Sequence, residues 1–314
     1  MSIDDPVGII ELGNINLKCL IFKINKKNET ELLSTSASPS KGIHNGSIIN
    51  LTKASDAIRS CLSTAEKEAK ILLKKINVVL EEPEFLCTKF SKHKKIHGSK
   101  IHKDDIEFLL NEAKKQLLLN DNNQSIVHIF NHNYIVDGKN FLEAPIGIHA
   151  DFLSHEMTFI TLPKNNVKNL NQVFTDCDIE IERLISNTFA LGANLLSTKE
   201  LEYGSIIIDF GFEKTSLGIF KNFALVHSMT IPIGINHITK DISKVCSLSL
   251  MESESIKDNI NFLFQNDQNI IDLNGYLKQN YFVNSKFRKI SKELILNIIK
   301  DRTDEIFKKI KKEI

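Results

Sequence analysis

The sequence lacks the features that mark secreted, disulfide-bonded and membrane-spanning proteins. Its five cysteines are odd in number and far apart, and no C-x-x-C pair is present. We therefore expect free thiols in a reducing cytoplasm rather than a disulfide framework or a zinc site. The first residues, M-S-I-D-D-P, include no apolar leader, so no signal peptide is predicted. No stretch approaches about 18 uninterrupted apolar residues, which argues against a transmembrane helix.

An excess of charge of one sign is also missing. The chain has 40 Lys and Arg against 39 Asp and Glu, a formal net charge of +1, so no bulk field attracts it to nucleic acid. Tandem repeats and low-complexity linkers are absent. The lack of tryptophan, beside many Ile, Lys and Asn, is interpreted as genome bias. What remains, 314 residues that are 42% hydrophobic and 25% charged, is typical of a soluble globular protein with more than one domain.

The most informative stretch is G-S-I-I-I-D-F-G-F-E-K-T-S-L-G-I-F, from Gly204 to Phe220. Two apolar runs flank a turn at Gly211, which predicts a β-hairpin. Asp209 stands where the first strand ends. A carboxylate there can hold a hydrated Mg²⁺ while backbone N–H groups of the turn face a phosphate. The alternative is an ordinary hairpin whose Asp caps its own turn.

The start of the chain follows the same plan. The stretch V-G-I-I-E-L-G-N-I-N-L-K-C-L-I-F, from Val7 to Phe22, has Glu11 at the end of an apolar run and Gly13 in the turn that follows. Two such units, far apart in the chain, predict a duplicated domain that holds one ligand between its halves.

Four stretches resemble the FtsA family of bacterial actin-like cell-division proteins, and they occur in the family's order. They are I-I-E-L-G-N-I-N-L-K-C-L from Ile9, S-K-G-I-H-N-G-S-I-I-N from Ser40, V-H-I-F-N-H-N-Y-I-V-D-G-K-N-F-L-E-A-P-I-G-I from Val127, and the stretch from Gly204 through I-P-I-G-I-N-H-I-T-K-D-I-S to E-S-E-S-I-K at Lys257. The third and fourth separate FtsA from actin, chaperone ATPases and sugar kinases.

The resemblance implies an α/β fold of the actin-like (ASKHA, ribonuclease H-like) duplicated type with an inserted small α+β lobe of the FtsA 1C type. Residues 1–82 would form part of the first actin-like lobe, 1A, and residues 83–160 the 1C lobe, which in the family contacts the next protomer of a filament. Residues 161–235 would form the second actin-like lobe, 2A, and residues 236–314 the 2B lobe and the start of the return helix.

Apolar periodicity also predicts individual elements. Strands are expected at 7–12, 17–24, 30–37, 76–80, 126–136 and 150–161, and helices at 54–75, 103–119, 164–174, 180–195, 236–246, 251–263 and 290–314. Residues 177–181, between two of these helices, are an alternative strand candidate.

The family resemblance implies ATP and Mg²⁺ as cofactors, with Glu11 and Asp209 near the metal through water. The first and second turns would face the β- and γ-phosphates, Gly234 and Asn236 would lie beside the nucleotide, and three residues after them would approach ribose and adenine. The full set is Gly13, Asn14, Ile15, Asn16, Gly211, Phe212, Glu213, Lys214, Thr215, Gly234, Asn236, Glu252, Glu254 and Lys257. For the last three, a solvated helix face with a Glu–Lys pair is the alternative.

The chain departs from the family pattern at several positions. FtsA usually has G-G-G-T-T after the second acid, whereas here Phe212 and Glu213 replace two glycines, and Glu213 adds negative charge where a phosphate is expected. Lys214 could offset that charge or bind phosphate. Asn16 stands where the family often has Lys. The family's third nucleotide segment and its C-terminal membrane helix are not found in the sequence.

The function implied by the resemblance is a division scaffold, at most a weak ATPase, that polymerises and links FtsZ to the membrane and the divisome. The FtsZ tail would dock on residues 235–300. The protein would lie in the cytoplasm at the inner face of the membrane at the division site, reaching the membrane only through a segment absent from this chain. Alternatives are a nucleotide-free FtsA-derived interaction module, a pilus-assembly actin-like protein and a sugar or acetate kinase.

A histidine- and lysine-rich run is a candidate for a metal site, but its residues do not favour one. His93, His97 and His102 lie among lysines, and no Cys or acid completes a ligand set. His128 and His132 would stand roughly 13 Å apart on a strand that rises ~3.3 Å per residue. The basic run is therefore interpreted as a solvated loop or a contact surface.

Overall fold

The structure, a computed structural model, describes residues 5–27, 29–44, 46–80, 82–260, 270–272 and 274–313. Its strands are β1 (Val7–Leu12), β2 (Asn16–Ile24), β3 (Thr30–Pro39), β4 (Ile43–His44), β5 (Ser47–Ile48), β6 (Lys75–Leu80), β7 (Leu86–Lys95), β8 (Gln124–Val136), β9 (Lys139–Phe141), β10 (Phe152–Pro163), β11 (Glu180–Ser186), β12 (Ser205–Phe210), β13 (Thr215–Lys221) and β14 (Ala224–Ile231). Its helices are α1 (Leu51–Ala69), α2 (Lys103–Asn120), α3 (Lys164–Thr175), α4 (Asn187–Leu195), α5 (Thr198–Tyr203), α6 (Ile235–Cys246), α7 (Leu250–Asn259) and α8 (Lys292–Glu313), with a 3₁₀ turn at Gln279–Tyr281.

The chain divides into two compact units. The first unit comprises Met1–Asp209 and Ser216–Thr230, and the second comprises Phe210–Thr215 and Ile231–Ile314.

The first sheet of the first unit has the order β11-β6-β1-β2-β3. The predicted meander is confirmed, because β1, β2 and β3 pair antiparallel in sequence order, while β6 pairs parallel with β1. One face is covered by α1, whose small and apolar residues recur at helical spacing. Those buried on this face are Ala54, Ala57, Ile58, Cys61, Leu62 and Ala65.

Helix α1 ends six residues before its predicted end at 75. Lys70 adopts a left-handed conformation with φ of 57°, and its N–H and that of Ile71 both donate to the Glu66 carbonyl. This hydrogen-bonded cap terminates the helix, and the chain then enters β6 at Lys75.

The predicted helix over 180–195 is wrong in its first half. Glu180–Ser186 is strand β11, which pairs parallel with β6 from Glu180 opposite Lys75 to Ser186 opposite Leu80. Helix α4 begins only at Asn187. The neighbouring strand supplies backbone partners for an extended conformation, and such tertiary pairing overrides local periodicity. The lobe boundaries given in the sequence analysis remain predictions.

The second sheet has the order β7-β10-β8-β9 and is antiparallel. Helix α2 packs on one face, where its Ala113 and Leu117 join a buried cluster with Phe90, Met157 and Phe159 of the sheet. Residues 86–163 thus form a small α+β lobe with its own apolar core.

The hairpin predicted around Gly211 is present as β12 and β13, and β14 completes a third sheet. Helix α4 lies against β13 at a position where only glycine fits. A Cβ added to Gly192 would lie 2.0 Å from the Phe220 ring, so the helix backbone rests directly on that ring.

The second unit is built mainly from α6, α7 and α8. Its core includes Ile242, Ile256, Ile270 and Ile295. Helix α7 ends at Asn259, whereas the prediction ran to 263; residues 261–269 lie outside the described part of the chain. The long predicted helix over 290–314 is observed as α8.

All five cysteines are free, as their number and spacing predict. Burial, followed by the nearby Cys61, raises the pKa of the Cys19 thiol to about 12, which leaves it protonated and unreactive at neutral pH.

Candidate functional site

The acid of the first hairpin has a counter-ion in the neighbouring strand. Glu11 in β1 stands directly opposite Lys18 in β2, and its carboxylate lies 3.4 Å from the Lys18 ammonium. Both side chains are substantially exposed. An exposed pair of this kind contributes little to stability, so the Glu11 carboxylate can exchange its partner at small cost.

The first turn, residues 13–16, has a tightly folded backbone and a polar side-chain atom without a hydrogen-bond partner among the described residues. A Cβ at Gly13 would lie 2.5 Å from the Asn16 carbonyl oxygen, so a larger residue fits there only if the turn shifts. The Asn14 Oδ1 atom is buried and has no hydrogen-bond partner among the described residues. Ile15 is 51% exposed. Its carbonyl accepts a hydrogen bond of 2.8 Å from the Ser40 N–H, which ties the turn to the loop after β3.

A second unsatisfied atom belongs to the same loop. The Ser40 Oγ is also buried without a partner in the described structure. Buried polar atoms are nearly always paired, so the region beside the first turn has unused capacity for a ligand or water.

The acid of the second hairpin is held by a residue that the sequence analysis missed. The half-buried Asp209 accepts a hydrogen bond of 2.9 Å from the Asn187 side chain, and Asn187 is the first residue of α4. The prediction placed Asn187 in the middle of a helix over 180–195. Its position at the start of a helix was therefore not recognised. Knowing the boundary between β11 and α4 is what identifies it.

A half-buried histidine, His128, contacts the same boundary. His128 Nε2 accepts a hydrogen bond of 3.0 Å from the Ser186 N–H, at the end of β11. Burial lowers the pKa of His128 to about 4, so the imidazole is neutral and carries its proton on Nδ1. This histidine therefore positions the strand end that leads into Asn187.

The second turn, residues 211–215, packs onto the start of α6 within the second unit. The Gly211 carbonyl accepts a hydrogen bond of 3.0 Å from the Ile235 N–H, and the Phe212 carbonyl accepts one of 2.8 Å from the Asn236 N–H. These are first-turn amides of α6, which have no partner inside a helix. The second turn therefore acts as their cap.

Gly234 makes this close packing possible. A Cβ at Gly234 would lie 2.4 to 2.5 Å from the Gly211 and Phe212 carbonyl oxygens and the Lys214 nitrogen. Any larger residue at position 234 would push the turn away from the helix. The Gly234 N–H donates to His237 Nδ1 at 3.1 Å.

The remaining side chains of the second turn are used internally. The Glu213 carboxylate accepts a hydrogen bond of 2.6 Å from the Asn236 side chain and lies 3.3 Å from the Lys240 ammonium. Lys214 is only 3% exposed, and the buried Thr215 hydroxyl donates to the Ile233 carbonyl at 2.7 Å. Lys240 was not predicted, although it stands one helical turn after Asn236 and on the same face of α6.

Glu252 has an extensive set of internal contacts, and its predicted contact with ribose or adenine stays a prediction. It is 3% exposed, and its carboxylate accepts five hydrogen bonds. The donors are the Ser249 N–H and hydroxyl, the Asn284 N–H, and the Ser285 N–H and hydroxyl. Burial alone raises the pKa of Glu252, but these donors outweigh it and hold the pKa at about 2. The segment S-L-M-E from Ser249 is a capping box, a signal that was readable in the sequence.

Glu254 and Lys257 form the helix-face pair that the sequence analysis gave as the alternative. The Lys257 ammonium lies 2.8 Å from Glu254 and 3.5 Å from Asp258. The Glu254 carboxylate also accepts a hydrogen bond from the Thr239 hydroxyl.

The predicted site residues thus fall into two groups. The first turn, Glu11 and Asp209 belong to the first unit, and residues 211–215, Gly234, Asn236 and the α7 residues belong to the second. In the described part of the chain, no group of three or more His, Cys, Asp and Glu side chains is arranged for a metal ion. None of the described helices combines the length and apolar character needed to cross a membrane.

Solved structures of similar fold identify the fold class of this chain. The PilM-PilN type IV pilus biogenesis complex is similar over 98% of this chain and 76% of that chain, with a TM-score of 0.62 and 12% identity. A diol dehydratase-reactivating factor in nucleotide-free form covers 95% of this chain and 86% of its own, with a TM-score of 0.50 and 8% identity. The fold is of the actin-like class, as predicted.

Two protein-family models match segments of the chain. The model "Cell division protein FtsA" matches residues 206–281, and the model "SHS2 domain inserted in FTSA" matches residues 86–161, the lobe formed by β7 to β10 and α2. Both models describe FtsA segments, so the chain is similar to the FtsA family in two separate regions, which confirms the resemblance seen in the sequence.

Curated relatives agree with the family models. Cell division protein FtsA of Agrobacterium fabrum is 23% identical over 80% of this chain. FtsA of Buchnera aphidicola from Schizaphis graminum is 25% identical over 95% of this chain, and that of Streptococcus pneumoniae is 26% identical over 80%. This chain spans 58%, 70% and 54% of those three relatives, respectively.

Proposed function

We propose that this chain is an actin-like scaffold of bacterial cell division that binds Mg-ATP and links FtsZ to the divisome and the membrane. Similarity to the FtsA family supports the division role. The observation that carries the nucleotide proposal is the first turn, where Gly13 permits a tight backbone and Asn14 Oδ1 is buried without a partner in the described structure. Such a turn suits a ligand that brings hydrogen-bond donors, including metal-bound water.

The nucleotide would be bound by residues of both turns and by the start of α6. Glu11 and Asp209 would hold Mg²⁺ through water, and the metal would neutralise the phosphates. The exposed Glu11–Lys18 pair and the Asn187 contact to Asp209 fit this role, because both carboxylates remain partly accessible. The proposed nucleotide residues are Gly13, Asn14, Ile15, Asn16, Gly211, Phe212, Glu213, Lys214, Thr215, Gly234, Asn236, Glu254 and Lys257. Glu252 is omitted because its carboxylate is fully used within the second unit.

The proposed partners follow from similarity to the FtsA family. The FtsZ tail would dock on the part of the second unit within 235–300, and copies of the chain would assemble into a filament through the lobe of residues 83–160. The proposed location is the inner face of the cell membrane at the division septum.

The deciding experiment is equilibrium binding of Mg-ATP to the parent chain, Asp209→Ala and Asp301→Ala. Asp301 is an exposed aspartate of α8, so its variant matches the charge change away from the proposed site. Saturable binding that is lost in Asp209→Ala and kept in Asp301→Ala is expected. No binding to the parent at millimolar Mg-ATP would overturn the nucleotide part of the proposal.

One observation favours a second candidate, a nucleotide-independent FtsA-type interaction module. The donors at the start of α6 are already satisfied by the second turn and by Glu213. Under this candidate, an FtsZ tail peptide binds with the same affinity with and without Mg-ATP. Under the ATP-binding scaffold proposal, Mg-ATP changes the affinity for the FtsZ tail peptide, because the nucleotide favours one conformation of the chain and the peptide binds the conformations unequally.

A further inference from the structure

We propose that Glu213 is an internal competitor for anionic ligands at the second turn and therefore sets how tightly this turn binds phosphate. The inference rests on the proposed binding of Mg-ATP and adds the residue that limits its affinity. The relevant atoms all lie in the second unit, in residues 211–215 and the first turns of α6.

The start of α6 offers an environment that attracts negative charge. The N-terminal end of a helix carries partial positive charge, and here two side chains add to it. Asn236, the second residue of α6, points its amide at the Glu213 carboxylate at 2.6 Å, and Lys240 brings an ammonium group within 3.3 Å. A carboxylate of the chain thus takes the two side-chain donors that an anionic ligand would use.

The backbone donors nearby are also occupied. The N–H groups of Ile235 and Asn236 donate to the second turn, and the Gly234 N–H donates to His237. The described amides at the start of α6 are therefore occupied, and an incoming phosphate gains the side chains of Asn236 and Lys240 by replacing Glu213 there.

Electrostatics sets the direction of the effect. Only 20% of the Glu213 side chain is exposed, so its charge is weakly screened by solvent. A phosphate approaching the second turn meets this negative charge until the carboxylate moves away. Replacing Glu213 by Gln keeps an oxygen that can accept from Asn236, removes the repulsion, and leaves the Lys240 ammonium to the ligand.

A purely structural role for Glu213 leads to the opposite result. If the carboxylate served only to hold the second turn on α6, its loss would loosen the turn and weaken any ligand that binds there. Ligand affinity therefore separates the two roles, with thermal stability measured alongside.

The test compares Mg-ATP and pyrophosphate binding by calorimetry for the parent, Glu213→Gln, Glu213→Ala and Glu293→Gln. Glu293 is an exposed glutamate in the first turn of α8 and provides the same charge change at another helix start. We expect both Glu213 variants to bind about tenfold more tightly than the parent, an effect typical of one well-placed charge, and Glu293→Gln to match the parent. Adding Lys240→Ala to Glu213→Gln should abolish the gain.

Each outcome decides a different claim. Equal or weaker binding by the Glu213 variants, with binding by the parent, overturns the inference and leaves the proposed function standing. Binding by Glu213→Gln but not by the parent supports the inference and overturns nucleotide binding by the natural chain. Absence of binding in every variant overturns both. A Glu213→Ala variant that fails to fold leaves Glu213→Gln, which preserves the side-chain shape, to decide.

Discussion

The turn after β1 and the turn after β12 follow the same order of residue types, with an apolar strand, an acid, a glycine and a returning strand. The first turn leaves Asn14 Oδ1 without a partner in the described structure and exposes half of Ile15. The second bonds its carbonyls to α6 and its Glu213 carboxylate to Asn236 and Lys240. A repeated motif can thus keep its backbone plan while one copy stays open and the other is filled by its own side chains.

The largest effect is expected from Gly234→Ala, which breaks the closed state of the second turn. The new methyl group would lie 2.4 to 2.5 Å from three backbone atoms, so the turn must separate from α6. We expect the free energy of unfolding of the second unit to fall by about 3 kcal/mol, measured by urea denaturation.

Gly275→Ala is the control for the Gly234 substitution. Gly275 has φ of 79° but no atom within 4 Å of an added Cβ. Its loss should therefore be limited to about 1 kcal/mol of backbone strain. Equal losses at the two positions would show that the tight packing on α6 is not what the second turn depends on.

Glu252→Gln is expected to have the next largest effect and separates two kinds of glutamate in the second unit. In the parent, N–H and O–H donors bond both oxygens of the Glu252 carboxylate. Gln replaces one of these oxygens by an NH₂ group, which cannot accept, so several buried donors lose their acceptor. We expect a loss of about 2 kcal/mol, whereas Glu213→Gln, at a partly exposed site, should cost well under half of that. A larger loss at Glu213 would contradict its role as a displaceable group.

The Glu252 contribution also has a defined pH dependence. Its pKa in the folded chain, about 2, lies below the ordinary value of 4.5. The stability it supplies is therefore complete above about pH 4.5 and is lost as the pH falls towards 2. The difference in unfolding free energy between the parent and Glu252→Gln should shrink over that range; a constant difference would rule out the charge as its source.

Gly13→Ala is expected to have a smaller effect on stability than Gly234→Ala and Glu252→Gln, and it tests the open turn. The added Cβ would approach only one atom closely, the Asn16 carbonyl oxygen at 2.5 Å, and the exposed turn can shift to relieve it. We expect a loss of about 1 kcal/mol in the first unit together with weaker Mg-ATP binding. A loss as large as that at Gly234 would show that the first turn is as constrained as the second.

The parts of the structure that sequence reasoning recovered depend on local pattern. The two hairpins, α1 and α6 follow from apolar spacing and from acids and glycines at strand ends. The error over 180–195 arose because β11 is specified by its neighbour β6, which no local window contains. The structural contacts of Glu252 were missed for a related reason: its capping box was visible, but the donors from residues 284 and 285 come from a distant part of the chain.

The contacts that decide the candidate site were also hidden from the sequence. Asn187 reaches Asp209 across 22 positions, and Asn236 reaches Glu213 across 23. The departure of residues 212 and 213 from the family pattern was recognised, but its consequence was not. Only the packing of the second turn against α6 reveals that Asn236 and Lys240 contact the Glu213 carboxylate.

The Glu252 cluster has a consequence for how this protein can diverge. Five donors from three residues converge on one carboxylate, so replacing Glu252 alone leaves buried donors unpaired, and replacing Ser249 or Ser285 alone leaves an under-bonded buried charge. Each single step is therefore disfavoured while a joint replacement by apolar residues is tolerable. Among relatives that share this loop, positions 249, 252 and 285 should be kept or exchanged together as a coevolving trio.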